Sequence, residues 1–370
     1  MFWVLFVICV FFLTHIGTRK YANVKINHLL QFVLAIYLSL IISLGAQFAV
    51  DHFHYLDNYL SSDGLSFSDI GFSLARRYAI DQEGYEFGYE IFSIICHKLN
   101  IGFPGFMFIL MVFVNWVYVD IIFKNKYPLL SILFFVLSSV FFQEANLVRQ
   151  SVAIALFVFS FRYIEQFNYK RYVFVIACAT LFHVSALFLL PFVLLGNTKV
   201  KSYHSIIYPI IITFWILSVI IAVLDINISL DFLANMNNSQ FSAYSSHYAN
   251  NENAIGMKPV FDLIVNTFAF FLIIILNKEY STTNILVILG IVLLNISVSV
   301  PNLARIALYF TSIIPVYYTS IIGKNNTPKI YNIFLIFLVI NNIRLFFFNH
   351  IFNNGSDLGD IMYPLSSFFE

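Results

Sequence analysis

Several side chains able to do chemistry stand at the edges of runs that otherwise suit lipid. Asn146, Arg149 and Gln150 open the stretch NLVRQSVAIAL, His183 interrupts ATLFHVSALF, and Arg305 follows Pro301 in VPNLARIALYF. A guanidinium at the centre of a spanning helix costs roughly 2.5–3.5 kcal/mol on insertion scales, and less near an end. Arg149 therefore reads in one of two ways. It is an interfacial residue snorkelling to headgroups, or an anion clamp. A helix N-terminus offers unpaired N–H groups and a positive dipole end, and a guanidinium adds a bidentate fork for phosphate. Spacings of three and four predict one helical side for Asn146, Arg149, Gln150 and Ala153. Arg305 follows the same logic. His183, with Thr180 and Ser185 nearby, is either a satisfied hydrogen-bonding residue or a group that holds an anion or a sugar hydroxyl. No HxxxH or HExxH pattern occurs, which gives a metal site little support.

A second set of candidates lies in DHFHYLDNYLSSDG…ARRYAIDQEGYEFGYE. Carboxylates there accept from hydroxyls, and tyrosine rings stack on apolar sugar faces. Asp57, Tyr59 and Glu86 are singled out. Arg76 and Arg77 would dock phosphate or simply pair with the acids around them. A solvated acidic loop explains most of the remaining residues. No Gly-rich phosphate loop and no GxSxG pattern is present, so nothing suggests nucleotide hydrolysis.

The elements that must position these groups are membrane helices. The 370 residues are 60% hydrophobic and 11% charged, against about 25% charged in a soluble domain. The formal net charge of +1 gives no reason to expect nucleic acid. The three cysteines, Cys9, Cys96 and Cys178, sit in apolar runs without CxxC spacing and read as small hydrophobes. Basic residues follow the first apolar stretch rather than precede it, so a retained first helix is expected, not a cleaved signal.

Apolar stretches at about 1–17, 29–50, 103–123, 127–143, 147–165, 172–195, 206–225, 259–277, 284–300, 306–322 and 330–348, with a shorter one at 87–101, predict a single all-α polytopic bundle of roughly 10–12 spans over 1–370. Short basic loops should face the cytoplasm. The long polar segments 51–86, 226–258 and the tail 349–370 should face outward. Segment 172–195 then has basic residues at both ends. It is expected to be a re-entrant hairpin turning near His183. The alternatives are that one basic loop breaks the rule, or that 87–101 crosses and the middle basic loops lie outside. Irregular backbone at depth needs protein or a water cavity around it, so a broken segment there hints at a site.

NLVRQSVAIAL, followed some thirty residues later by LFHVSALFLLPF, resembles the paired signature of the EpsG family, a branch of the Wzy-type polysaccharide and O-antigen polymerases. DNY in the first outer loop, EFGYEIF before the next helix, ARIALYF late in the chain and, more loosely, MYPLSSFFE in the tail fit the same pattern. The resemblance implies a metal-independent, inverting glycosyltransferase of a bacterial cytoplasmic (inner) membrane. Its substrates would be oligosaccharide repeat units on undecaprenyl diphosphate, joined at the periplasmic or outer face. On that reading Arg149, with Arg305 and His183, stabilises the departing diphosphate. Asp57 or Glu86 is the base that activates the acceptor hydroxyl, with His183 as runner-up. Gln150, Asn146, Tyr59, Arg76 and Arg77 complete substrate binding. No cofactor is required, because the diphosphate bond carries the driving force. A chain-length regulator is a further partner to consider. The rival functions are an O-antigen ligase, a polysaccharide flippase or transporter, and a membrane acyltransferase. A transporter predicts two similar halves, and no clear repeat is present; an acyltransferase predicts polar clusters toward the cytoplasm.

Overall fold

The computed structural model describes residues 2–18, 24–45, 52–67, 86–196, 204–224, 257–276, 282–297, 302–321, 332–333, 336–338 and 340. Among these residues there is no strand. The helices are α1 (Phe2–Thr18), α2 (Val24–Gly45), α3 (His52–Ser61), α4 (Phe87–Lys98), α5 (Phe103–Lys124), α6 (Pro128–Val136), α7 (Ser139–Asn146), α8 (Val148–Glu165), α9 (Tyr169–Thr180), α10 (His204–Leu224), α11 (Met257–Leu276), α12 (Thr282–Ile296), α13 (Asn302–Thr311) and α14 (Ile314–Ile321), with a 3-10 segment at Val184–Gly196. Windows in α2 (Asn27–Leu44) and α5 are long and apolar enough to cross a bilayer, and five shorter helical stretches are strongly apolar. Segment 226–258 and the tail lie outside the described residues, apart from the start of α11.

Two expected spans are interrupted, and a further break falls at the start of a third. The stretch 127–143 becomes α6 and α7, with the Ser138 hydroxyl donating to the Phe135 carbonyl at 2.7 Å across the break. Such a local bond competes with the helical ladder. The stretch 306–322 falls within α13 and α14. Pro315 sits in the first turn of α14, where a missing N–H costs little; continuing α13 would have required that N–H to bond Thr311. The third break is at Leu147 (φ −117°, ψ 47°), between α7 and α8. Asn146 therefore ends one helix while Arg149 belongs to the next, and the single helical side expected for Asn146, Arg149, Gln150 and Ala153 does not form. Nothing in the local sequence explains this break.

Helix α8 is the centre of the bundle. It packs on α5, α9 and the 3-10 segment, and touches α13. Helix α9 runs back along α8, the chain turns at 181–183, and the 3-10 segment returns along α9. Pro191 lies inside that return arm and cannot donate to an α-helical ladder. The Tyr172 hydroxyl donates to the Leu189 carbonyl at 2.5 Å and pins the two arms together. At the foot, Gly196 meets the end of α8 so closely that a Cβ there would lie 1.8 Å from the Ile164 carbonyl oxygen. The chain thus leaves α8 and comes back to its end after a helical hairpin. At about 2.0 Å rise per residue, the return arm Val184–Gly196 reaches about 26 Å.

This topology sorts the chain ends. Gly17 lies against the Phe123 ring, the Asn125 amide donates to Val316 and Thr319 at 2.7 and 2.8 Å, and Thr282 approaches Leu195. These contacts lie at the ends of α1, α5, α14 and the return arm, beside the short basic loops. The starts of α4, α8 and α13 and the His183 turn gather at the other end.

Candidate active site

Three chain segments, distant in sequence, converge on Glu86. One carboxylate oxygen accepts from Arg149 Nη1. The other accepts from His183 Nδ1 at 2.9 Å and faces the Val184 amide at 3.4 Å. The three side chains are 17%, 22% and 21% exposed, so the cluster is shielded yet reachable. An ionised carboxylate only accepts. Its bond to His183 therefore places a proton on Nδ1 and leaves Nε2 as the ring's acceptor.

Local structure makes this meeting possible. The Gly88 amide donates to the Leu181 carbonyl at 2.7 Å. A Cβ on residue 88 would stand 2.8 Å from that same oxygen. Glycine lets the start of α4 dock edge-on against the turn that carries His183, and Glu86 is delivered with it. Arg149 is in the first turn of α8, and its guanidinium lies 5.8 Å from the centre of the Tyr55 ring, within cation–π range.

Burial alone would raise the Glu86 carboxyl. The hydrogen bond from His183 and the charge of Arg149 outweigh it and hold the group at about 2. A carboxylate so firmly ionised is a weak proton acceptor, since a general base works best with a pKa near the working pH.

The other expected residues separate. Gln150 is buried and donates to the Arg305 backbone carbonyl at 2.5 Å, tying α8 to α13. Arg305 is half-buried in the first turn of α13. One turn on, Tyr309 meets the Ser185 hydroxyl at 3.0 Å, two residues past His183. Tyr59 does not present an open ring. It is 2% exposed, stacks on His97 at 4.0 Å and donates its hydroxyl to the Ile101 carbonyl. Asp57, two residues earlier on α3, points to the opposite side and is exposed, and no ion pair joins it to another described residue. Two residues apart on a helix do not share a face, so Asp57 and Tyr59 cannot act together. Tyr55, four residues before Tyr59, is the ring that reaches Arg149. Asn146 is half-buried at the end of α7. Arg76 and Arg77 lie outside the described residues.

Sequence reasoning passed over Glu144, which is 1% exposed. Its Oε2 accepts from the Asn115 amide at 3.0 Å, and its Oε1 has no hydrogen-bond partner among the described residues. A cavity of about 10 Å³, lined in part by Tyr118, Gln143, Glu144, Ser151 and Ser312, adjoins it, about enough for one water. The signal was there to find: an acid within an apolar stretch, five residues before Arg149.

The family model described as EpsG family matches residues 30–367. The chain therefore belongs to the EpsG family, a family of Wzy-like polymerases. That membership, with the apolar helices, marks a membrane protein with a polysaccharide-polymerase type of function. No curated protein and no solved structure gives a significant match.

Proposed function

We propose that this EpsG-family protein joins polyprenyl-diphosphate-linked oligosaccharide repeat units into a surface polysaccharide by inverting glycosyl transfer without a metal ion. The reaction takes place at the outer face of a bacterial cytoplasmic membrane. The observation that carries this reading is the Arg149–Glu86–His183 cluster at the end of the bundle away from the basic loops. Undecaprenyl diphosphate is the carrier that the family resemblance suggests. In this reading α9 and the 3-10 segment form the re-entrant hairpin, with the Lys170 and Lys199 ends on the cytoplasmic side.

The acceptor hydroxyl oxygen attacks the anomeric carbon of the donor from the face opposite the diphosphate. The C–O bond to the diphosphate breaks, and its electron pair leaves on the phosphate oxygen. Arg149 meets that charge with a planar fork, in surroundings where preorganised charge counts for more than in water. His183 Nε2 takes the hydroxyl proton. Glu86 orients the ring and stabilises the imidazolium that forms, as the buried acid does in a hydrolase triad. The depressed Glu86 carboxyl favours His183 over Glu86 as the base, and Asp57 is exposed on the other side of α3 from Tyr55 and Tyr59. Arg305 and Ser185, half-buried beside the cluster, would contact the sugar or the second phosphate, with Tyr309 holding Ser185 from behind.

The test is Arg149→Lys in a deletion strain. Lysine keeps the charge and loses the fork, and polymer length should collapse to single or few repeat units. Long polymer from that variant would sink the clamp. For the hairpin, a cysteine placed at Asn197 should be shielded from an impermeant external thiol reagent; labelling from outside would overturn it.

A further inference from the structure

We infer that Glu86 occupies the phosphate position of the donor site when the site is empty, and that the incoming diphosphate displaces it from Arg149. This inference rests on the reading of Arg149 as the diphosphate clamp. It adds an order of events: Glu86 leaves Arg149 as the donor arrives and stays on His183.

Glu86 divides its two oxygens between Arg149 and His183. A carboxylate and a phosphate present the same pair of acceptor oxygens to a guanidinium fork. Glu86 holds the Nη1 donor, so a phosphate that grips both Nη nitrogens end-on must take the place of Glu86 Oε2. Glu86 has somewhere to stay, because His183 Nδ1 and the Val184 amide hold its other oxygen. Once Arg149 turns to the diphosphate, the full carboxylate charge falls on His183 alone. The ring thus keeps its orienting carboxylate while the donor is seated. Arg149 needs no travel beyond its own side chain, since Tyr55 supports its face.

The experiment is calorimetric titration of inorganic pyrophosphate into the full chain purified in detergent, paired with chain-length analysis in cells. The wild type should bind, and Arg149→Lys should bind more weakly. Glu86→Gln removes the competing anion, so affinity should rise on the order of tenfold, the loss of one charge-assisted bond. Polymerisation by the same variant should fall, because His183 loses its anion. A merely structural role for Glu86 would weaken both. His183→Ala should move affinity the other way, because it frees the second carboxylate oxygen to grip the Arg149 fork. That variant also carries the test if Glu86→Gln does not purify folded. Unchanged or weaker binding in Glu86→Gln, or tighter binding in His183→Ala, overturns the exchange while leaving the clamp intact. Absence of binding in the wild type, or binding indifferent to Arg149→Lys, overturns both.

Discussion

Two of the shielded glutamates in this bundle, Glu86 and Glu144, show what such a carboxyl can be used for. Glu86 is held by an arginine, a histidine and a backbone amide, and its side chain stays 17% exposed. Glu144 is sealed, with one neutral amide donor and, among the described residues, no cation in ion-pair range. A bare buried charge costs several kcal/mol, so the second setting suits an un-ionised acid. Asn115 also donates to Met111 and, at 3.3 Å, to Ser39. Glu144 thereby joins α2, α5 and α7 just before the Leu147 break. Charge partners and access mark Glu86 for chemistry. Their lack marks Glu144 as a tie between helices, the more common use of polar groups in membrane bundles.

The comparison can be broken most directly by neutralising each acid. Glu86→Gln should lower polymerisation by about 10²-fold or more, in line with the loss of the group that positions the His183 base. Glu144→Gln keeps shape and hydrogen bonding, and should leave polymer length near that of the wild type. Equal losses in the two variants, read as repeat-unit ladders on gels, would erase the distinction. Gly88→Ala comes next. Its methyl group would press on the Leu181 carbonyl, a backbone atom with little room to give, at a cost of about 1–3 kcal/mol. A lower melting temperature with reduced activity is expected; an unchanged enzyme would mean that α4 does not need the close approach to deliver Glu86. The smallest effect concerns pH. The Glu86 carboxyl is lower in the folded state, about 2 against 4.5. Its stabilisation is therefore complete above about 4.5 and fades as pH falls toward 2. Melting curves in detergent should show this loss in the wild type and a flatter profile in Glu86→Gln, whereas Glu144→Gln should follow the wild type.

Part of this architecture was legible in the sequence. Basic residues on both flanks of 172–195 make a turn near His183 one of three expected arrangements, and the helical hairpin of α9 and the 3-10 segment turns at 181–183. The Pro191 arm could be read as irregular for the same reason. The Leu147 break could not, because neither a proline nor a glycine marks it. Read as a loop, the region offers Tyr59 as an open ring; as a helix, 52–61 buries both Tyr55 and Tyr59 on one side, and Tyr55 is the one that reaches Arg149. The Glu86–Arg149 and Gln150–Arg305 contacts join residues 63 and 155 positions apart, and no local pattern encodes pairings of that range. The glycine in EFGYEIF was visible as part of a motif, but its purpose emerges only from the Leu181 carbonyl beside it.

Gly196 has a consequence far from its own position. It is the root of an arm about 26 Å long whose tip carries the imidazole, and no larger residue fits against Ile164. A methyl group added at the root would tilt the whole lever, and a small angular error there would grow along its length into a misplaced ring. The accuracy of the tip is thus set at the opposite end of the hairpin.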